Sequence, residues 1–431
     1  MFQLTQNRLH ILIVVAALSV DAAAWVGGPS DDAVPTYTVP TSIASNCTGG
    51  QTDELNAWLA SIPSGTESAP VTVDFGASSN CYMLDDIATT SGTEYNALRI
   101  NDKAYWELKG TATFKRSSPV NAGQNRALLA ITRGQHITSK SAMTFVGNRL
   151  KSNYDPHLEH DHNVVILGGD HIYLSGFTAE SVSGDNVYVS PIGDNIPHAI
   201  TIKDATLSDA SRHNVAVIGT TGMTLDGNTL TNNGYWSIDA ELSHGGWPMK
   251  NLIISNNTAS GQRYGFLALT SRSDAAAQGG PGIDTVTVAG NKVTSPGVTN
   301  HEFVSINSSA AADAPTKNVT IANNSFKVHQ FGISAKYVSN LRVTGNQGAT
   351  DGRGVSGVDC SGELALVSGG PGLDGVTISN NHFRSANLWR NATDWCPKAG
   401  SSPGPKNVTR SDNISIPGLL FPPAIFHLLM R

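Results

Sequence analysis

Six side chains in the middle of the chain have the types and spacing for proton-transfer chemistry: His162, Asp185, Arg212, His213, Asp239 and Glu241. They sit in or beside four short segments, His162-Asn-Val-Val-Ile166, Asp185-Asn-Val-Tyr-Val189, His213-Asn-Val-Ala-Val217 and Trp236-Ser-Ile-Asp-Ala-Glu241. The starts of these segments are 23, 28 and 23 residues apart. Laid over one another, the segments put His162, Asp185, His213 and Trp236 in one column. Neighbouring parallel strands lie about 4.8 Å apart, so each imidazole is expected within hydrogen-bonding reach of the Asp185 carboxyl. Asp239 and Glu241 are two positions apart on a strand and share its outer face, as does Tyr188. A histidine titrates near neutral pH and a carboxylate beside it fixes its tautomer, so the set can supply general acids and bases.

The six are the expected catalytic groups. Substrate contacts are expected from Asn186, Tyr188, Asn214 and Trp236, and from Arg263 and Tyr264 just before the next strand, Gly265-Phe-Leu-Ala-Leu269. Asn163, Asn186, Asn214 and Ser237 read as an outward ladder, while Val164, Val187, Val215 and Ile238 stack inward. Insertions at 191–198, 243–249, 270–282 and 307–317 follow this strand, and repeat proteins often carry insertions on the binding face. A polar groove walled by these loops is the expectation.

What must hold these strands in register is an internal repeat. Two apolar residues separated by one, then Gly or Asn followed by Asn, recur as Met223-Thr-Leu-Asp-Gly-Asn228, Leu252-Ile-Ile-Ser-Asn-Asn257 and Val286-Thr-Val-Ala-Gly-Asn291. Further copies are Val319-Thr-Ile-Ala-Asn-Asn324, Leu341-Arg-Val-Thr-Gly-Asn346 and Val376-Thr-Ile-Ser-Asn-Asn381, with looser ones from Trp106, Ile172 and Ile200. Period-two alternation means strand, and Gly-Asn or Asn-Asn after it means a tight turn that tolerates left-handed backbone. A unit this small cannot bury its own apolar face, so copies must stack. The text is too rich in Gly, Thr and Asn for helical repeats, and a parallel β-helix fits. At its front, residues 53–62 read as an amphipathic helix capped by Thr52, closing the open first coil.

The chain resembles the secreted right-handed parallel β-helix proteins of the pectate-lyase-like superfamily. The resemblance covers roughly residues 45–395. It rests on the cap helix, Trp106-Glu-Leu-Lys-Gly-Thr-Ala-Thr-Phe114, the repeat and Ser183-Gly-Asp-Asn-Val-Tyr-Val189. It implies an all-β solenoid and a polysaccharide substrate, with a lyase, a glycoside hydrolase, a uronate epimerase or a non-catalytic binder as the possible activities. Lyase stands slightly first. A lyase would use Arg212, His213 or Arg263 as base, with Asp185, Asp239 and Glu241 able to hold Ca²⁺. A hydrolase would use Asp185 with Asp239 and Glu241 as its carboxylates. The polygalacturonase motifs are absent, and Gly184-Asp-Asn and Arg212-His-Asn only echo two of them. Tyr154-Asp-Pro-His157 looks like the epimerase motif but falls before the strand at His162. A pure binder could stack sugars on Tyr188, Trp236, Trp247 and Phe266.

The ends and the composition set the compartment. Arg8, the apolar run 11–20 and Ala22-Ala23-Ala24 read as a signal peptide over residues 1–24. Residues 25–95 are then a cap region, 96–395 the β-helix and 396–431 a tail, apolar but interrupted by prolines. The simplest pairing of the four cysteines is Cys47 with Cys81 and Cys360 with Cys396. Eight N-x-S/T sites (Asn46, Asn256, Asn307, Asn318, Asn323, Asn391, Asn407 and Asn413) could carry glycans, although Asn also recurs for structural reasons. The 431 residues carry net charge −6 with only 14% charged. That excludes a disordered chain and a coiled coil. With no basic cluster, duplex nucleic acid is excluded as a partner. A secreted monomer acting away from membranes is the expectation.

Overall fold

The repeat becomes three parallel sheets, each receiving one strand per coil. In the computed structural model the described residues are 34–85, 96–117, 126–150, 155–243, 246–271, 282–294, 302–308, 316–328, 331–350, 372–385 and 406–417. The proposed signal segment, Tyr154, Cys360, Cys396 and the apolar tail beyond 417 lie outside them. Among the described residues the sheets hold thirteen, twelve and nine strands. No helix among them is long and apolar enough to cross a membrane.

The first apolar residue of each repeat lies directly over its counterpart. Trp106 pairs with Ile137, and Ile172, Ile200, Met223, Leu252, Val286, Val319 and Leu341 follow in one file. All are at most 1% exposed, so this file is core. The Gly/Asn-Asn signature now has two distinct jobs. Gly227, Asn256, Gly290, Asn323, Gly345 and Asn380 have φ of +54° to +68°, the left-handed turn that Gly and Asn adopt most easily. The Asn that follows points inside. Asn228, Asn257, Asn291, Asn324, Asn346 and Asn381 form a buried ladder, each Nδ2 donating to the next Asn Oδ1 at 2.9 Å.

Each rung also caps backbone. Asn291 Nδ2 donates to Ile254 O at 2.9 Å, and Asn291 Oδ1 accepts the Asn257 N–H at 3.0 Å. Asn291→Ala leaves these groups buried and unpaired, so we expect a loss of about 1–3 kcal/mol in urea unfolding. A surface Asn→Ala should cost far less.

The front of the coil differs from expectation in detail. The helix spans Thr52–Ser61 and its N-cap is Gln51, with no side-chain cap bond. Thr52 already lies within the first turn, where its Oγ1 accepts the Asp85 N–H at 2.8 Å, so its hydroxyl ties the helix to a strand instead of capping it. Leu55, Leu59 and Ile62 are buried in the core. Asn56 Oδ1 accepts the Arg99 N–H at 2.8 Å, in the edge strand Asn96–Asn101 of the nine-stranded sheet. Cys47 and Cys81 form a disulfide.

The sheets also extend beyond the expected limits of 96 and 395. Strands Val71–Asp74 and Cys81–Leu84 pair with Ala104–Lys109 and Thr113–Arg116, so the cap region already contributes to the coil. Lys406–Ser411 and Ile414–Pro417 continue two sheets into the expected tail, because Asn413 still supplies a ladder rung.

Candidate functional site

The four aligned segments stack as their sequences dictate. Val164, Val187, Val215 and Ile238 are register partners in the nine-stranded sheet, which puts His162, Asp185, His213 and Trp236 two positions earlier on successive coils. The first three strands open only at Val164, Val187 and Val215, so the two preceding residues of each occupy the corner between sheets. Strict alternation fails at that corner.

The consequence is a correction for the ladder column. Asn163, Asn186, Asn214 and Ser237 are 0% exposed and face inward. Asn163 Nδ2 donates to Glu180 O at 3.0 Å, and Asn186 Nδ2 to Ser208 O at 2.9 Å. Both carbonyls belong to paired strands of the twelve-stranded sheet, and Glu180 O also accepts the Gly147 N–H at 2.9 Å, so the amides bind the inner corner to that sheet and are themselves satisfied there. Asn186 and Asn214 are therefore structural. One coil further the same column holds Phe266, 0% exposed and stacked on Phe303 at 5.5 Å, so Phe266 is core and offers no sugar platform.

The His/Asp column faces away from the core but is covered. His162 and Asp185 are 0% exposed and His213 is 1%. Asp185 Oδ2 accepts Arg212 Nη1–H at 2.8 Å and Oδ1 accepts the His213 backbone N–H at 3.0 Å. Burial raises the Asp185 pKa to about 6, against the lowering effects of Arg212 and that N–H. His162 reaches the Asp185 carboxyl as expected, its Nδ1 3.4 Å from Oδ2, whereas the His213 ring does not. The Asp185 backbone N–H also donates to His162 Nδ1, at 3.2 Å. His213 turns its ring to the following coil. Burial holds both imidazoles well below the usual histidine range, reinforced by neighbouring cations, Arg212 among them. His162 also stacks on the partly buried Tyr188 at 4.6 Å.

The proton inventory at the next coil is the informative part. His213 Nδ1 lies 3.1 Å from Trp236 O, which accepts only, so Nδ1 carries the proton. Nε2 then presents a lone pair to Asp239 Oδ2 at 3.2 Å. Two acceptors at that distance repel unless a proton lies between them. Asp239 and Glu241, on strand Trp236–Leu242, are recessed, 7% and 8% exposed. In strand register Asp239 is flanked by Ala216 below and Ala268 above, so no large side chain neighbours it from either adjoining coil. Tyr235 lies 5.3 Å from the His213 ring and 4.6 Å from Tyr264, over which the exposed Arg263 guanidinium sits at 5.5 Å.

The structure thus brings together His162, Asp185, Arg212, His213 and Asp239, with Glu241 on the same face as Asp239. Among the described residues the three carboxylates are not gathered closely enough to form a cation cage. Trp236 and Trp247 are partly buried. In Asp155-Pro-His157, Asp155 Oδ1 accepts the His157 N–H at 3.0 Å and opens a 3₁₀ turn, Pro156–Leu158.

Sequence reading missed Tyr235, which neighbours Trp236, and Glu302, which shares the column of Trp236 and Gly265. Burial raises the Glu302 carboxyl, which accepts Ser334 Oγ–H at 2.6 Å. The insertion after Ser271 hid this copy, although Glu302-Phe-Val mirrors Gly265-Phe-Leu. It also missed the ion pair Arg116–Asp161, 3.0 Å long and with both side chains at most 1% exposed.

The raised Asp185 pKa has a thermodynamic signature. A carboxyl that ionises near 3.9 in the unfolded chain and about 6 in the folded one favours folding most below about pH 4, and that advantage is lost as pH rises through 6. Asp185→Asn removes the dependence. Urea unfolding should show the variant gaining on the parent by about 2–3 kcal/mol between pH 4 and pH 8. A difference that does not vary with pH would show that Asp185 is not the titrating group.

Comparisons with known proteins agree on the architecture. A family pattern described as a right handed beta helix region matches residues 193–347. The sequence matches no curated protein. Among solved structures the chain is similar to the Dettilon tailspike protein, with TM-score 0.58, 14% identity, 91% of this chain and 71% of that one. A mutant tailspike of E. coli bacteriophage HK620 in complex with a pentasaccharide gives TM-score 0.60 and 11% identity over 88% of this chain, which spans 64% of that tailspike. The endo-xylogalacturonan hydrolase from Aspergillus tubingensis gives 0.57 and 11% over 88% of this chain and all of that one. At these identities the shared property is the fold, and this chain is a right-handed parallel β-helix.

Proposed function

We propose that the protein is an extracellular polysaccharide hydrolase whose acid is Asp239 and whose second carboxylate is Glu241. The observation that carries this reading is the proton required between His213 Nε2 and Asp239 Oδ2, 3.2 Å apart. With His213 held neutral, that proton belongs to Asp239, a carboxylic acid at the floor of an alanine-flanked recess. Asp239 gives it to the glycosidic oxygen as the bond to the leaving sugar breaks, and Glu241 takes a proton from the water whose oxygen bonds the anomeric carbon. Residues two apart on a strand share one face with Cα atoms roughly 6.6 Å apart, and the anomeric configuration of the product reads out the working separation of the two carboxyls.

Elimination, slightly preferred on sequence alone, needs a cation to offset a sugar carboxylate. Arg212 is already bonded to Asp185, so that role would fall to the exposed Arg263 beyond Tyr264, and the pairing of His213 with Asp239 favours hydrolysis. The sugar-binding tailspike and the xylogalacturonan hydrolase among similar structures support a glycan substrate, and the Cys47–Cys81 disulfide supports an oxidising compartment.

The test is incubation with a panel of polyuronates and neutral glycans. New reducing ends without unsaturated products are expected, and NMR of the released sugar gives the anomeric configuration. Unsaturated products would assign a lyase. Binding without any product would leave a recognition protein, and C5 inversion in an uncut polymer an epimerase.

A further inference from the structure

A second cluster lies on a different sheet from the proposed active site. Its position is set by a column of left-handed residues in the thirteen-stranded sheet. His136 and His171 have φ of +51° and +53° and occupy equivalent places on successive coils, between the paired residues Gln135/Asp170 and Ile137/Ile172. Later coils place Asn251, Asn318, Asn340 and Asn407 in that column, with φ of +52° to +57°, and Ala199, Gly222, Thr285 and Gly375 on the coils between, also at positive φ. Asn is the side chain that this backbone accepts most readily after Gly. Two neighbouring coils carry imidazoles there instead.

The rings of His136 and His171 stack at 4.8 Å, with Tyr105 beneath His136 at 4.5 Å. Asp170 Oδ1 lies 2.8 Å from His171 Nδ1 and 2.6 Å from His198 Nδ1. One ligand atom from each of His136, Asp170 and His171 can be chosen so that all lie within 4.8 Å of one another. These side chains are half-exposed, and small rotations bring three such atoms to a common ion.

We propose that His136, His171 and Asp170 bind a divalent transition-metal ion of the zinc class, with His198 holding the Asp170 carboxylate. Two imidazoles and one carboxylate suit Zn²⁺, with solvent completing the shell, whereas Ca²⁺ and Mg²⁺ favour oxygen alone. The ion takes the place of the proton between His171 and Asp170, and His171 stays neutral with its one N–H on Nε2. His198 keeps its N–H on the ligating carboxylate, the second contact that metal-bound carboxylates commonly have.

The test is calorimetric titration of the full, untagged chain with ZnCl₂, and separately with CaCl₂. The comparison variant is His136→Asn/His171→Asn, whose replacements are those that the same column uses on later coils. We expect one zinc per chain in the parent, a zinc-dependent rise in thermal midpoint, and roughly tenfold or greater loss of affinity in the variant, which should melt like the parent without metal. Equal zinc binding by parent and variant, no zinc binding, or calcium binding as tight as zinc would each overturn the proposal. A variant that fails to fold would be replaced by Asp170→Asn, which leaves the left-handed positions untouched and is expected to show the same loss.

Discussion

Replacing Asp239 by Asn should lower kcat by about 10²–10⁴ while leaving glycan affinity nearly unchanged. The substitution is informative because it preserves the geometry. The Asn amide can still donate to His213 Nε2, which faces Oδ2 at 3.2 Å, so the recess between Ala216 and Ala268 should keep its shape. What disappears is a proton that can be given away. Glu241→Gln should produce a loss of similar size, and the double variant should lose much less than the product of the two, since both groups serve one step. Reducing-end assays on the substrate found by the glycan panel give kcat, and quenching of tryptophan fluorescence gives affinity. If Asp239→Asn retains parental turnover, the acid is another group and the shared-proton reading fails.

The second large effect is on stability. Asp161→Ala should cost about 3–5 kcal/mol in urea unfolding, the range for breaking a buried ion pair from one side. Arg116 and Asp161 are joined at 3.0 Å with side chains 1% and 0% exposed. Removing the carboxylate leaves a guanidinium buried, with the His162 carbonyl at 3.3 Å as a weaker partner. Asp161 is also woven into the site, since Asp161 O accepts the Gly184 N–H at 2.7 Å and Asp161 Oδ2 the Ser183 N–H at 3.3 Å, just before Asp185. The double change Arg116→Met/Asp161→Leu should recover most of the loss, because no uncompensated charge remains. A cost for Asp161→Ala below about 1 kcal/mol would mean that water reaches the pair.

How far the site was legible depends on which physical rule each residue obeys. Coil register was fully readable. Parallel pairing places like residues over like, so spacings of 23, 28 and 23 residues suffice to bring positions 162, 185, 213 and 236 into one file. The Gly/Asn-Asn turn was equally plain, because the need for left-handed backbone and the need for an amide rung each restrict residue type. The direction of a side chain was not readable near a corner. Alternation holds along a strand, yet Asn163 and Asn186 stand where the chain bends between sheets, and their amides turn in to meet carbonyls of the neighbouring sheet.

Protonation was the other property hidden from the residue string. His162, Asp185 and His213 look like an exposed relay in one dimension, but the packed coil removes them from water. That removal neutralises the imidazoles and raises the Asp185 carboxyl to about 6. The periodic pattern therefore establishes which residues are neighbours, since hydrophobic stacking and strand pairing act through local residue type. Which of those neighbours meets water, and which holds a proton, is decided only when distant coils and corners close around them, since desolvation is a property of the assembled surroundings and not of any one segment.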